Sequence, residues 1–280
     1  MSHFSLSVMF IAALSTAGSI LAQDLKVVAL NENSTRTMGA STFASADPEA
    51  VRKYIPEGGA PASVSSFILF AGEDTVLFDA GQNSETWSNK LTDLGVKPES
   101  IKLIFLTHMH GDHIGGLLQG DTRRFPNAKV FSATPEYEHW MRLQQTGQVG
   151  KIASAYGQDF MKFNFDEEVF ANPLVKVKAL DASGHTPGHT VFLIEPKQGS
   201  TEKILILGDL LHAAALQFPV PEACASFDMD REKAVASRKR ILDFAAQEKI
   251  SVGGMHLPPP SIGTVEKEDK GYSFELKKEE

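Results

Sequence analysis

The sequence has little cysteine, no long basic run and one long apolar stretch, and each of these features bounds the function. Cys224 is the only cysteine in 280 residues, which excludes an intramolecular disulfide framework and leaves the redox compartment open. The net charge is −8, and no lysine- and arginine-rich stripe is present to contact a phosphate backbone. We therefore expect no nucleic-acid partner. Hydrophobic residues make up 42% of the chain, enough for one well-buried domain.

The one long apolar stretch lies at the N-terminus. Residues 4–21 are apolar but are interrupted by serine, threonine and glycine, and Ile20-Leu21-Ala22 resembles a signal-peptidase site. We predict a signal peptide over residues 1–22 and a hydrolase domain over residues 23–280. A retained membrane anchor and a disordered leader are the alternatives, because the segment before the apolar stretch has no lysine or arginine. The prediction places the protein in the bacterial periplasm or outside the cell, with no stable membrane span after cleavage.

The most informative motif is His108-Met109-His110-Gly111-Asp112-His113, which holds four potential metal ligands in six residues. His108 and His110 alternate after a strand and can turn two imidazoles toward one ion. Asp112 and His113, on the following turn, can face a second ion. Imidazole and carboxylate together suit zinc or another divalent first-row metal, and two such ions can share a bridging hydroxide. The alternative is a histidine-rich surface turn without ligands.

Three further segments place a ligand-type side chain at the predicted end of a strand. Residues 184–189 form a glycine- and proline-containing turn that can aim His185 inward. Residues 204–207 read as a buried strand that leads to Asp209, whose carboxylate is costly to bury unless it is paired or bound to metal. His256 ends the last apolar run, before three prolines. These positions predict that ligands from distant parts of the chain converge.

Hydrophobic periodicity predicts two similar halves, each with strands and helices. The predicted strands are 25–30, 64–70, 75–78, 101–106, 175–180, 190–194 and 204–207, with the last at 255–256. Helices are predicted around residues 87–94 and over residues 135–145, 152–163 and 231–247. The last of these has Asp230 as its predicted N-cap, and its inward-facing residues are Val235, Ile241, Leu242 and Ala245. The charged tail 266–280 is interpreted as a solvated extension in which Tyr272 and Phe274 can act as anchors.

In combination these motifs resemble those of the metallo-β-lactamase superfamily, over nearly the whole mature chain. The segment Thr75–Gly81 matches the first family motif, a strand that ends in a structural aspartate, here Asp79. The resemblance implies an α/β fold, the αββα four-layer sandwich with two similar halves. It also implies two divalent metal ions. Zinc is the expected metal at both positions, with manganese and iron as alternatives.

The same resemblance implies a role for each ligand by position. The expected ligands of the first metal are His108, His110 and His185, those of the second are Asp112, His113 and His256, and Asp209 bridges the two. Four residues after His185, His189 is expected to hold the turn by hydrogen bonds, and Asp79 to support the site without binding metal.

Within the superfamily, the C-terminal third is similar to the branch of methyl parathion hydrolase and quorum-quenching lactonases. The similarity rests on residues 208–212, 228–230 and 255–258. The commonest zinc β-lactamases carry cysteine where Asp209 stands, which argues against antibiotic hydrolysis. Well-known acyl-homoserine lactonases carry tyrosine three residues after the bridging aspartate, whereas this chain carries His212, which favours the parathion-hydrolase side.

The resemblance therefore implies a dinuclear hydrolase that uses a metal-bridging hydroxide to cleave a lactone, an ester or an organophosphate, and the N-terminal sequence predicts that it is exported. The predicted catalytic residues are Asp209, Asp112 and His212; His212 either donates a proton or hydrogen bond near the leaving group or holds a ligand carboxylate. The partner is a small-molecule substrate, and a homodimer is possible. A glyoxalase II-like thioester hydrolase and an iron-dependent sulfur dioxygenase of the same fold are the alternatives. Four apolar residues flank the motifs and line a pocket or pack in the core: Met109, Phe218, Phe227 and Leu257.

Replacing the predicted bridging ligand tests this interpretation. We expect Asp209→Ala to lose most of the activity and one equivalent of metal while the protein stays folded, because the carboxylate is predicted to hold both ions. Metal content by atomic emission, together with circular dichroism, checks the outcome. Retention of full activity and of both metal equivalents would overturn the ligand assignment.

Overall fold

A computed structural model of the chain describes residues 25–198 and 202–278. The predicted signal peptide, residues 1–22, lies outside the described residues. The proposed domain boundary at residue 23 also stays a prediction. Among the described residues, no helix combines the length and apolar character needed to cross a membrane.

The described chain contains seventeen strands, joined by turns, loops and helices. In chain order they are β1 (Leu25–Asn31), β2 (Thr37–Met38), β3 (Ala60–Pro61), β4 (Ser65–Ala71), β5 (Asp74–Phe78), β6 (Leu103–Phe105), β7 (Leu118–Gln119), β8 (Thr122–Arg123), β9 (Lys129–Ala133), β10 (Phe160–Phe163), β11 (Glu168–Ala171), β12 (Val175–Asp181), β13 (Thr190–Pro196), β14 (Ile204–Ile206), β15 (Ser251–Gly253), β16 (Ile262–Lys267) and β17 (Tyr272–Leu276).

The helices are fewer and mostly short. They are α1 (Pro48–Tyr54), α2 (Glu85–Asp93), α3 (Gly111–Ile114), α4 (Thr134–Gln144), α5 (Gln148–Tyr156), α6 (Ala214–Gln217) and α7 (Arg231–Glu248), with single 3-10 turns at Ala40–Phe43, Pro98–Ser100, Gly115–Leu117 and Gly157–Asp159. The predicted N-cap of α7 is confirmed, because the Asp230 side chain accepts a hydrogen bond from the Lys233 N–H.

Two sheets carry the fold. One has the strand order β1-β4-β5-β6-β9-β10, and the other runs β11-β12-β13-β14-β15-β16-β17. The sheets pack face to face through aromatic side chains: Phe192 of the second sheet lies 5.2 Å from Phe78 and 5.7 Å from Phe105 of the first, between ring centroids. This buried layer is the centre of the molecule, because strand residues alternate in direction and each sheet needs a partner for its inner face.

The outer faces of the two sheets are covered by helices. Outward-facing residues of the first sheet, such as Ile68 and Leu77, pack in a core with Trp87 of α2 and Trp140 of α4. On the second sheet, outward-facing residues pack against Ile241, Leu242 and Ala245 of α7. The layers are therefore helix, sheet, sheet and helix. This arrangement confirms the predicted αββα sandwich.

One predicted helix is wrong at its C-terminal half. The expected helix over residues 152–163 is split: α5 ends at Tyr156, and residues 160–163 form β10, which pairs in parallel with β9. Gly157 adopts a φ of 52°, a left-handed conformation that glycine accepts without a Cβ clash, and the chain reverses there. The i,i+3 spacing of Phe160 and Phe163 fits one face of a helix, whereas in β10 the two side chains point to opposite faces of the sheet: Phe160 packs in the core that contains Trp140, and Phe163 in the layer between the sheets.

The charged tail is also placed differently from the prediction. Residues 272–276 form β17, which pairs antiparallel with β16 at the edge of the second sheet. Tyr272 is only 2% exposed, and the ring of Phe274 stacks on Phe218 at 4.5 Å between centroids. Both aromatic residues are anchors, as expected, but they anchor an edge strand and not a solvated extension.

The polar stretch between β1 and β4 folds over one end of the sandwich. Met38, Phe43 and Val51 form a separate apolar core with Ala213 and Leu216 of the α6 region. This N-terminal segment therefore packs beside the chain that follows β14. It forms one wall near the site described next.

Candidate metal centre

The predicted ligands lie where strands end, along one edge of the sandwich. β5 and β6 are parallel neighbours in the first sheet, and β14 and β15 are parallel neighbours in the second. The carboxyl ends of parallel neighbours meet at the same edge, so the segments that follow them converge. The structure brings all seven predicted ligands into two adjacent groups at that edge.

The first-metal trio consists of His108, His110 and His185. The Nδ1 atom of His110 lies 2.9 Å from Nε2 of His108 and 3.0 Å from Nε2 of His185. Burial and the neighbouring His185 lower the pKa of His110 to about 4, and burial holds the pKa of His108 well below its usual value. His108 and His110 are therefore neutral near pH 7, the form in which histidine binds metal.

The second-metal trio consists of Asp112, His113 and His256. Nε2 of His113 lies 3.8 Å from Oδ1 of Asp112, and Nε2 of His256 lies 3.6 Å from Oδ2 of the same carboxylate. Burial alone would lower the pKa of His113, but Asp209, Asp79 and Asp112 raise it well above the usual value. The pKa of His256 is likewise raised, against burial, chiefly by Asp209.

The Asp209 carboxylate lies between the two trios. Its Oδ2 atom is 3.4 Å from Nε2 of His185 and 3.1 Å from Nε2 of His256, and its Oδ1 atom is 3.0 Å from Nε2 of His113. Burial alone would raise the pKa of this carboxyl, but His113, His256 and His108 hold it well below its usual value. An ionised carboxylate with imidazoles on both sides has the geometry expected of a bridging ligand.

Unpaired atoms in the site fit a divalent cation. Across residues 25–198 and 202–278, few buried side-chain nitrogen or oxygen atoms lack a hydrogen-bond partner, and three of them are here: Nε2 of His113, Oδ1 of Asp209 and Nδ1 of His212. The first two atoms are 3.0 Å apart but do not meet at a hydrogen-bonding angle. Buried polar atoms are normally paired, and Nε2 of His113 and Oδ1 of Asp209 are nitrogen and oxygen donors of the kind that zinc, manganese and iron accept.

Asp79 supports the second-metal trio from behind. Its carboxylate accepts hydrogen bonds from the N–H and hydroxyl groups of Thr107, at 2.8 and 2.7 Å, and lies 2.7 Å from Nδ1 of His113. With Nδ1 of His113 donating to that carboxylate, Nε2 is left free to face the site. Asp79 itself has a φ of 60°, an uncommon conformation for a residue other than glycine, and such strain often accompanies functional sites.

Two more histidines are oriented by acceptors on their far nitrogens. Nδ1 of His185 lies 2.9 Å from Oδ1 of Asp228, whose other oxygen is 3.5 Å from the buried Arg238 guanidinium. Nδ1 of His256 donates to the backbone carbonyl of Ser63 at 2.8 Å. The roles of Asp228 and Ser63 are not visible in the sequence, because both contacts join residues far apart in the chain.

His189 uses both ring nitrogens in backbone hydrogen bonds. Its Nδ1 donates to the carbonyl of Ala182 at 3.1 Å, and its Nε2 accepts the N–H of Asp209 at 2.9 Å. Burial lowers the pKa of His189 to about 3, so the ring is neutral. His189 thus links the two turns that carry His185 and Asp209, in agreement with its predicted structural role.

His212 contacts the bridging carboxylate directly. Its Nε2 atom lies 3.2 Å from Oδ2 of Asp209, and burial lowers the pKa of the ring to about 4. Because the Asp209 carboxylate only accepts, the proton of a neutral His212 is on Nε2 and Nδ1 is a free acceptor. The contact with Asp209 is the one expected if His212 holds a ligand carboxylate.

The mouth of the site combines apolar groups with one cation. The Phe227 ring lies 4.6 Å from the His212 ring and 5.9 Å from the His185 ring, and it is 39% exposed. Nearby in sequence, Met229 is 47% exposed. The guanidinium of Arg36, which the sequence did not single out, lies 3.7 Å from Oδ2 of Asp112.

The other candidate pocket residues pack in the core. Met109, Phe218 and Leu257 are each no more than 2% exposed. Of the four apolar residues that flank the motifs, Phe227 alone is exposed beside the histidines.

Comparison with known proteins identifies the family. Residues 59–248 match the model of the metallo-beta-lactamase superfamily. Because this match covers more than half of the chain, the chain belongs to that superfamily, as the motifs predicted. The cluster of histidine and aspartate side chains agrees with the predicted class of metal-dependent hydrolase.

Solved structures of similar fold cover almost the whole chain. The hydrolase AbOPH of the beta-lactamase superfamily has a TM-score of 0.79 and 26% identity, over 91% of this chain and 96% of that one. The dizinc quorum-quenching lactonase AidC has a TM-score of 0.78 and 23% identity, over 92% of this chain and 96% of that one, and supports the fold.

Curated relatives match over a shorter span. An N-acyl homoserine lactonase from Bacillus sp. is 29% identical over 161 residues, which are 58% of each chain. An atrochrysone carboxyl ACP thioesterase from Pseudocercospora fijiensis is 29% identical over 150 residues, 51% of this chain and 37% of the relative. The chain thus spans less than two thirds of the length of either relative.

The opposite pKa shifts of the two trios predict that acid removes metal from them in order. His113 and His256 have raised pKa values, so metal must displace protons from them, and affinity falls about tenfold per pH unit for each proton displaced. His108 and His110 have lowered pKa values and stay neutral in weak acid. We therefore expect the second-metal trio to lose its ion first as the pH falls.

Dialysis of the metal-loaded protein at steps from pH 7.5 to pH 5, with metal content measured at each step, checks this order. The variants His110→Ala and His256→Ala, each of which removes one trio's ligand, assign the remaining ion. Loss of both ions in one step, or earlier loss from the first-metal trio, would contradict the prediction.

Proposed function

We propose that this protein is an exported dinuclear metal-dependent hydrolase that cleaves a lactone, an ester or an organophosphate. The observation that carries the proposal is the buried Asp209 carboxylate between two groups of imidazole and carboxylate donors. Membership of the superfamily and the fold-level similarity to AbOPH support the same class. Export rests on the N-terminal sequence alone.

The first-metal trio and the second-metal trio would each hold one ion, and Asp209 would contact both. Two divalent ions at such a site lower the pKa of a bound water toward neutrality and polarise the oxygen of the substrate. We propose zinc for both positions, with manganese or iron as alternatives, because imidazole and carboxylate suit all three. The residues around the ligands orient them: Asp79 fixes His113, Asp228 fixes His185 and Ser63 fixes His256.

The mouth of the site favours a neutral substrate with an apolar part. Phe227 and Met229 present exposed apolar surface beside the histidines, and Arg36 provides the nearby cation. An acyl or aryl group would pack on that apolar surface, where contact with it removes apolar area from water. Arg36 would meet the carboxylate or phosphate that hydrolysis generates.

Thioester hydrolysis is the second candidate, and the relatives favour it. The thioesterase from Pseudocercospora fijiensis matches half of this chain, and its name describes an acyl carrier protein substrate. The same site would serve a thioester, because its acyl carbon is also an electrophilic carbonyl centre. A thioester substrate is therefore included in the test.

Proton release measures all of these reactions, because each hydrolysis liberates acid. The chain from Gln23 onward, loaded with zinc, is followed in a pH-stat with an acyl-homoserine lactone, an aryl ester, a thioester and methyl parathion. The metal-depleted protein is the blank, and reloading with manganese or iron compares the metals. Release with one substrate class identifies the reaction. No release with any substrate, from folded and metal-loaded protein, would contradict the proposal and favour an iron-dependent oxidation, which oxygen consumption would reveal.

Replacing His212 separates its two proposed roles. We expect His212→Ala to lower turnover with metal content unchanged, because the ring contacts the bridging carboxylate but belongs to neither trio. Leu143→Ala, at a residue that is 61% exposed, is the control for purification and loading. Loss of a metal equivalent from His212→Ala would instead show that the ring is itself a ligand or holds the Asp209 ligand in place.

A further inference from the structure

Glu136, on α4, is a fully buried carboxylate that no part of the proposed chemistry uses. Its side chain is 0% exposed and lies behind the metal site. Burying a carboxylate is costly unless hydrogen bonds compensate, so the arrangement of its partners reveals what the residue does.

The two oxygens of Glu136 bind two different loops. Oε1 accepts the backbone N–H of Met109 at 2.9 Å and the indole N–H of Trp140 at 2.6 Å. Oε2 accepts the hydroxyl of Thr186 at 2.7 Å and the backbone N–H of Gly188 at 2.9 Å. All four partners are donors, which fits an ionised carboxylate with every lone pair engaged.

Three of these four bonds lead to a ligand of the first-metal trio. The peptide N–H of Met109 lies between His108 and His110 in the chain. The Trp140 ring, held by its N–H, packs edge to face on the His110 ring at 5.4 Å between centroids. Thr186 follows His185 directly.

The close approach of α4 to the loop of Thr186 explains why residue 188 is a glycine. A Cβ atom at Gly188 would lie 2.3 Å from the backbone nitrogen of Glu136, so only glycine lets the loop reach the carboxylate. The second-metal trio has a separate support, because His113 is held by Asp79 and His256 by the carbonyl of Ser63.

We propose that Glu136 is a positioning residue that joins the loops of the two halves and thereby sets the geometry of the first-metal trio, and not that of the second. It touches neither substrate nor the expected ions. The inference rests on the proposed metal-dependent function, and its specific content is site selectivity. A residue that only stabilised the fold would affect both metal positions alike.

The test places Glu136→Gln in two backgrounds, each with one trio disabled. His256→Ala leaves the first-metal trio intact, and His110→Ala leaves the second. A glutamine keeps the shape of the side chain but replaces one acceptor oxygen with an NH₂ group. The N–H donors that face this group then lose their hydrogen bonds to residue 136. Zn²⁺ affinity is measured by chelator competition on the folded, metal-depleted full chain.

We expect Glu136→Gln to weaken Zn²⁺ binding about 10- to 100-fold in the His256→Ala background, as for other residues that orient ligands. In the His110→Ala background we expect a change of less than about threefold, a margin set below that range. Glu138→Gln is the matched control, because Glu138 lies on the same helix, is exposed and pairs only with Lys162 among the ion pairs of the described residues. It should leave both affinities unchanged.

The outcomes separate the two proposals. If the chain without substitutions binds no more Zn²⁺ than protein that carries both His110→Ala and His256→Ala, the metal-dependent function itself fails. If both backgrounds bind but Glu136→Gln weakens them equally, or weakens neither, the positioning role is overturned. Should Glu136→Gln not fold, Thr186→Val removes one of the four donors and should still weaken the first-metal trio selectively.

Discussion

The contact between the Asp209 carboxylate and the imidazoles around it is the interaction on which the rest of the site depends. A carboxylate that is 3% exposed would ordinarily be protonated or paired with a cation. Here its pKa is instead held low by His113 and His256, and those two histidines owe their raised pKa values largely to Asp209. The carboxylate is therefore ionised in the fold, and hydrogen bonds to Asp79, Asp228 and the Ser63 carbonyl hold the His113, His185 and His256 rings toward it.

Much of the site could be predicted because its information is local. The motif from His108 to His113 places four donors within one turn, and the strand before Asp209 is a short apolar run with an acid directly after it. The alternation of apolar runs and turns predicts individual strands, helices and two similar halves, whereas the two-sheet sandwich is what the family resemblance implies. What could not be predicted is the set of contacts between distant segments. Glu136 is separated from Thr186 by 50 residues, and nothing in the surrounding helix marks it as an acceptor for that loop.

The errors over residues 152–163 and at the C-terminal tail have a common physical cause, which is that strand pairing in the folded chain, and not local apolar spacing, decides the structure of a short segment. The i,i+3 spacing of Phe160 and Phe163 fits a continued helix, but the chain reverses at Gly157 and the two residues lie in a strand. At the C-terminus, the charged residues of β17 obscured the alternation of Tyr272 and Phe274, because an edge strand exposes one face and carries charge there. In both cases tertiary pairing decided the local structure.

The order in which the chain builds its sheets bears on folding itself. All strands of the first sheet precede residue 164, and all strands of the second follow residue 167. His108, His110, Asp112 and His113 belong to the first half, whereas His185, Asp209 and His256 belong to the second, so neither half contains a complete site. Ions bound there would tie the halves across their shared face, and ligands that bind only the assembled state stabilise it by mass action. Metal supply would then act on this protein as an assembly factor, and metal-starved cells would hold more of it in a loosened, protease-sensitive form.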